Sequence, residues 1–109
     1  METFDVVIIG AGAVAENVAD RVVQGGLTAV LIESELVGGE CSYWACMPSK
    51  ALIRSGMALR AAQRLAGSAE AVTGGLDVAA TLARRNSFTH DWDDSSQVKW
   101  VDKTGIALV

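Results

Sequence analysis

An α/β fold built on a parallel sheet is predicted for this 109-residue chain by three features of its first half. A short β-branched run, FDVVII at residues 4–9, is too short for a helix and stops at Gly10, as a strand buried on both faces does. Behind it, Val14, Val18 and Val22 recur at every fourth position, flanked by Ala11, Ala15 and Ala19 and closed by Gly25 and Gly26, which predicts a helix. TAVLIE, residues 28–33, is a second buried strand. Strand, helix and strand in this order require a parallel pair joined by a right-handed crossover. The three valines lower the helix's own propensity, so packing on the sheet has to hold it, and the small alanines allow a close approach.

Length and composition set the limits. One domain, residues 1–109, is expected, with folding burying roughly 65% of the unfolded surface. Half of the residues are apolar, 20% are charged and one is proline, which is the composition of a globular chain. A net charge of −4 lacks the basic footprint that nucleic acid requires. The uncharged apolar run VVIIGAGAVA at residues 6–15 is about half of a membrane span, so no membrane is expected. The N-terminus, METFD, carries acids where a secretory signal has basic residues, which points to the cytoplasm. In that reducing compartment, a bridge between the two cysteines would open and close rather than serve as a permanent staple.

The turn after the first strand is GAGAVA, residues 10–15, the pattern of a Rossmann-like βαβ dinucleotide site. Gly10 permits the tight turn and Gly12 lets a pyrophosphate approach the backbone. Ala13 opens the helix beside it, and Ala15 fills the third position, where a small residue allows close packing of helix on strand. The helix then offers free N–H groups and the positive end of its dipole. Glu33, 21 residues past Gly12, is placed to accept hydrogen bonds from a ribose diol. The pattern does not separate FAD from NAD, and a plain βαβ packing unit is its rival reading.

Both cysteines lie in GGECSYWACMPSK, residues 38–50. In a continuous helix, residues five apart have Cα atoms about 8.6 Å apart, whereas a disulfide tolerates only about 7 Å. A Cys41–Cys46 bridge therefore needs irregular backbone. Gly38 and Gly39 permit an irregular entry, and Pro48 lacks the N–H that would bond the Trp44 carbonyl. The following segment, PSKALIRSGMALRAAQRLAG, is helical, with Leu52, Leu59, Ala62 and Ala66 on one side and Lys50, Arg54, Arg60 and Arg64 opposite. A helix N-terminus favours the thiolate that disulfide exchange uses, and Lys50 lies within one turn of Cys46. Two rival readings stand beside a redox pair. A metal site has only His90 to add to the two cysteines, short of four ligands; two inert buried thiols are the other.

The last third predicts a helix over residues 76–88 with Leu76, Ala79, Ala80, Leu82 and Ala83 as its apolar stripe. An acidic capping loop follows, DWDDSS, then a short helix ended by Gly105 and a strand beginning in IALV, residues 106–109. His90 reads as a surface residue. Three strands leave edges and one face in need of cover, so the α/β domain is expected to be incomplete at the C-terminus.

GAGAVA, Glu33 and GGECSYWACMPSK in this order resemble the N-terminal segment of the pyridine nucleotide-disulfide oxidoreductases, flavoenzymes that include dihydrolipoamide dehydrogenase, glutathione reductase and mercuric reductase. The likeness is close over residues 4 to about 54 and looser beyond. It implies FAD at the first βαβ unit, with Gly10 and Gly12 facing the pyrophosphate, Glu33 the adenosine ribose, and Gly39 and Lys50 the flavin side. It implies Cys46 as the thiol next to the flavin that receives electrons and forms the charge-transfer pair, and Cys41 as the outer thiol that exchanges with substrate. The implied electron path runs from NAD(P)H to flavin, to the Cys41–Cys46 disulfide, and on to a disulfide or other small acceptor. A nicotinamide domain and a dimerisation domain supplying a catalytic His complete the implied homodimer; His90 lies in the wrong region for that base. The 109 residues are thus expected to be a fragment that turns nothing over alone. Ser42, Tyr43, Trp44, Ala45 and Glu40 depart from the best-known members, so the resemblance carries no particular acceptor across. Two other classes remain as alternatives: a non-catalytic nucleotide-binding module with incidental cysteines, and a small flavin-free thiol redox protein.

Overall fold

The computed structural model describes residues 1–109. Strand β1 (Val6–Ile9), helix α1 (Ala13–Gln24) and strand β2 (Ala29–Ile32) form the βαβ unit. Two helices carry the cysteine segment, α2 (Gly39–Tyr43) and α3 (Cys46–Arg64). Helix α4 (Val78–Phe88), helix α5 (Ser95–Thr104) and strand β3 (Ala107–Leu108) follow. All strand pairs are parallel, in the order β1-β2-β3, with Val6 opposite Ala29 and Val30 opposite Ala107. Asp5 and Thr28 start the first pair: the Asp5 N–H donates to Thr28 Oγ1, and the Asp5 carboxylate accepts from the Thr28 N–H and hydroxyl. Gly105, at φ 76°, ends α5 and turns the chain into β3.

The core is small and lies where α1 and α5 meet the sheet. Ala11, Ala19, Ala29, Leu31, Val37, Val101 and Ile106 are buried together, with Ile8, Ala15, Val22 and Val23 packed on them. Three sequence expectations are corrected here. Strand β1 is not buried on both faces: Ile8 points to the core, while Val7 and Ile9 are 57% and 88% exposed. Helix α1 packs through its alanines and Val22–Val23, and Val14 and Val18 are exposed, because only a narrow small-residue face can come down on the sheet. The apolar stripe on α4 covers nothing fully; that helix has no buried residue.

The shape departs from expectation as well. A compact chain of this length has a radius of gyration near 13 Å, whereas this one has 19.5 Å and measures 67 × 24 × 19 Å. The excess comes from α3 and α4, which pack mainly on each other rather than on the sheet. Globular composition therefore does not mean a globule here. No helix is long and apolar enough to cross a membrane.

Leu31 is fully buried and Ile9 is bare, so the two should respond differently to truncation. Leu31→Ala is expected to lower the unfolding free energy by about 3 kcal/mol, and Ile9→Ala by under about 0.5 kcal/mol, in urea titrations of the 109-residue chain.

Candidate redox and dinucleotide site

The glycine turn and the cysteine segment are one structure. Gly38 and Gly39 take φ of 113° and 56°, which is how the chain leaves the loop after β2 and enters α2. The Gly38 N–H donates to the Ala11 carbonyl at 2.7 Å, and Gly12 and Gly38 form an isolated parallel bridge. A methyl group at Gly39 would stand 2.8 Å from the Gly12 Cα, so the two backbones touch directly. Around Gly10 and on the outer side of Gly12 a methyl would meet nothing within 4 Å. No side chain caps α1, whose N-cap is Gly12 and first residue Ala13. An open, uncapped helix start with bare glycine backbone fits a diphosphate in shape and in donor chemistry.

Glu33 sits at the rim of this turn and holds it. Its Oε2 accepts from the Ala11 N–H at 2.7 Å, and its Oε1 accepts from the Ser34 and Glu35 N–H groups, each at 2.9 Å. Those bonds, the one from Ala11 first, hold the carboxyl below its ordinary range. About four acceptor directions exist on a carboxylate, so the three bonds leave room for a further donor. The sequence reading gave Glu33 a ligand role; closing the glycine turn is an addition from the structure.

Between the cysteines the helix is broken as the sequence predicts. Trp44 ends α2 and Ala45, at φ −120° and ψ −90°, precedes α3, with Pro48 buried in the first turn of the new helix. Cys41 and Cys46 are both half-buried and not bridged to each other. Cys46 is the first residue of the 19-residue α3, the position expected of it. The Cys41 thiol departs from the expectation of a low pKa: its hydrogen bond with Cys46 pushes it up, with desolvation and the Glu16 carboxylate adding, while the Lys50 ammonium pulls it down. Lys50 itself is exposed. Tyr43 is buried, and Trp44 is exposed with its ring edge-on to Tyr43 at 5.9 Å. No cluster of metal-ligating side chains is present, and His90 is exposed.

Three residues at this site escaped the sequence reading. Glu16, in the first turn of α1, has one carboxyl oxygen buried without a partner, and desolvation raises its pKa. Asp94 Oδ2 accepts from the Val37 N–H at 2.8 Å, and Trp92 Nε1 donates to the Tyr43 carbonyl at 3.1 Å. These last two bonds span 57 and 49 residues and have no local signature.

Gly39→Ala forces two backbones apart and puts an L-residue at positive φ. It is expected to lower the midpoint of thermal unfolding, at a cost of about 2 kcal/mol. Glu33 and Glu16 should show opposite pH signatures in chemical denaturation. Glu33 has a depressed pKa, so its stabilisation is present above its unfolded value of 4.5 and fades as pH falls through the folded value. Glu33→Gln should therefore destabilise at pH 7 and converge on the parent in acid. Glu16 is raised above 4.5, so its penalty grows as pH rises through the folded value, and Glu16→Gln should stabilise at pH 7 but not near pH 4.

Comparison with known proteins gives the same frame. The family model described as "Pyridine nucleotide-disulphide oxidoreductase" matches residues 4–105. Dihydrolipoyl dehydrogenase of Rhizobium etli is 46% identical over 54 residues, which is 50% of this chain and 11% of that protein. The Bacillus subtilis dihydrolipoyl dehydrogenase is 43% identical over 60 residues, 55% of this chain and 13% of that one. The soluble pyridine nucleotide transhydrogenase of Vibrio cholerae is 46% identical over 50 residues, 45% of this chain and 11% of its own length. The chain thus matches only about an eighth or less of the length of these relatives. Among solved structures, the HOCl-induced flavoprotein disulfide reductase RclA of Escherichia coli, solved as a Cu(II) complex, superposes with a TM-score of 0.74 at 20% identity, over all of this chain and 22% of that one. That likeness carries the fold. Since the family match begins in the residues before β1 and runs past the end of α5, the chain belongs to the pyridine nucleotide-disulphide oxidoreductases.

Proposed function

We propose that residues 1–109 are the N-terminal part of an FAD-binding domain whose Cys41–Cys46 pair cycles between disulfide and dithiol. The observation that carries this reading is the direct seating of Gly39 on Gly12, which ties the cysteine segment to the dinucleotide turn. A pair of thiols elsewhere in the chain would have no reason to be fastened there.

The chain's own residues have separable tasks. Gly10, Gly12, Ala13 and the uncapped start of α1 hold a diphosphate by backbone N–H groups and the helix dipole. Ala15 keeps α1 close to the sheet. Glu33 takes the adenosine ribose with the acceptor capacity its three backbone bonds leave free. Gly39 and Lys50 line the flavin side, and the ammonium of Lys50 favours the Cys41 thiolate. When bound, FAD supplies the two-electron relay between NAD(P)H and the sulfur pair. Cys46 is the inner sulfur, and Cys41 the outer one that attacks a disulfide or other small electron acceptor.

The complete protein works in the cytoplasm as a homodimer, with NAD(P)H as co-substrate and without nucleic acid or membrane. The 109-residue segment holds FAD weakly and has no turnover of its own.

Cys46→Ser in the protein at its full natural length should keep bleaching of the yellow flavin absorbance by NADH or NADPH. It should lose reduction of disulfide acceptors by at least about a hundredfold, the scale of removing a covalent redox partner. Undiminished acceptor turnover would return the cysteines to the incidental reading, and a colourless purified protein would remove FAD from the proposal.

A further inference from the structure

The helix break that brings the cysteines together creates an orphan. In a continuous helix the Tyr43 carbonyl would accept from the Met47 N–H. Here the Trp44 and Ala45 N–H groups both fold back onto the Glu40 carbonyl, at 3.0 and 2.6 Å, and no backbone N–H reaches Tyr43. Its acceptor is filled by the indole N–H of Trp92 at 3.1 Å.

Trp92 is presented at some expense. His90, Asp91 and Trp92 have φ of 50°, 52° and 60°, three successive non-glycine residues in the left-handed region. Each such residue costs about 1–2 kcal/mol, so the surroundings must impose the turn. Thr89 is fully buried, and its hydroxyl donates to the Asn86 carbonyl at 2.9 Å. The Trp92 N–H donates to the Thr89 carbonyl at 2.9 Å, and the Asp93 N–H to the His90 carbonyl at 3.0 Å. The Arg85 guanidinium lies over the Trp92 ring, 5.3 Å from its centre. Two residues on, Asp94 holds the Val37 N–H. One loop thus grips the cysteine segment on both sides, at Val37 and at Tyr43.

We propose that Trp92 is a positioning residue for the redox pair: by occupying the Tyr43 carbonyl, its indole N–H keeps the turn between Cys41 and Cys46 broken and so sets the equilibrium between dithiol and disulfide. The proposal rests on the redox reading of the cysteines. Closing the bridge joins the two sulfurs and removes two protons and two electrons, which an external disulfide accepts in becoming two thiols. A restored helix would hold the Cα atoms about 8.6 Å apart, beyond the limit of about 7 Å for a bridge. Anything that favours the broken turn therefore favours the disulfide.

The test equilibrates the protein at its full natural length in glutathione and glutathione disulfide, traps free thiols by alkylation, and reads the Cys41–Cys46 bridge by mass. Trp92→Phe keeps a ring under Arg85 and removes only the N–H. It should shift the equilibrium about tenfold toward dithiol, equivalent to about 30 mV for a two-electron couple. Asp91→Gly relaxes the left-handed turn and keeps the indole; it should raise the unfolding midpoint and leave the redox equilibrium within about twofold of the parent. A Trp92→Phe equilibrium equal to the parent's overturns the proposal, as does an Asp91→Gly shift as large as that of Trp92→Phe. Should Trp92→Phe not fold, Arg85→Gln, which frees the indole to swing, carries the test with an expected shift of about threefold, and none would overturn it. A parent that forms no bridge at any glutathione ratio defeats the redox reading itself.

Discussion

The contact on which the rest depends is backbone against backbone, Gly39 on Gly12. A methyl group at Gly39 would stand 2.8 Å from the Gly12 Cα, and the Gly38 N–H bond to the Ala11 carbonyl fixes the register of the approach. Because the contact lacks side chains, it leaves the outer surface of the glycine turn open. It also sets the distance between two chemistries, since Cys41 follows Gly39 by two residues. A larger residue at Gly39 would separate the turn from the sulfur pair. Glycine is used here for proximity as much as for backbone freedom.

Electrostatics at this junction are divided between two carboxylates, Glu16 in α1 and Glu33 just after β2. Glu33 is well supplied with N–H donors and stays ionised, reinforcing the turn that closes above it. Glu16 has a buried oxygen without a donor, and its field reaches both Cys41 and Tyr43. An unsatisfied buried oxygen is costly, so the site carries destabilisation at the first turn of α1 that the small core must offset. The neighbouring Cys46 sulfur is the first cause that raises the Cys41 thiol; Cys41 belongs to α2, and only Cys46 stands at the head of the long helix.

The bare surfaces follow a consistent pattern. The outward side chains of β1, Val14 and Val18 of α1 and much of the α3–α4 arm are exposed, while the buried set gathers around Leu31, Val101 and the alanines. A chain matching about an eighth or less of the length of its curated relatives is expected to make its remaining contacts with other parts of such a protein. The apolar stripe on α4, which packs on α3 without burying any residue, and the outer face of β1 are the least covered apolar surfaces of residues 1–109.

The sequence by itself determined the βαβ unit, the order of the helices, the break between the cysteines and the glycine stop after α5. Each of these is written in local terms: a β-branched run, a four-residue periodicity, a proline, a glycine at positive φ. The placement of Glu33 and Gly39 against the glycine turn was legible because motif spacing encodes it. Only the tertiary structure decided which face of α1 packs, that the molecule is elongated, and that Trp92 and Asp94 hold the cysteine segment from across 49 and 57 residues. The physical reason is that packing and long-range hydrogen bonds depend on which surfaces meet in space, and a one-dimensional pattern specifies a surface without specifying what lies opposite it.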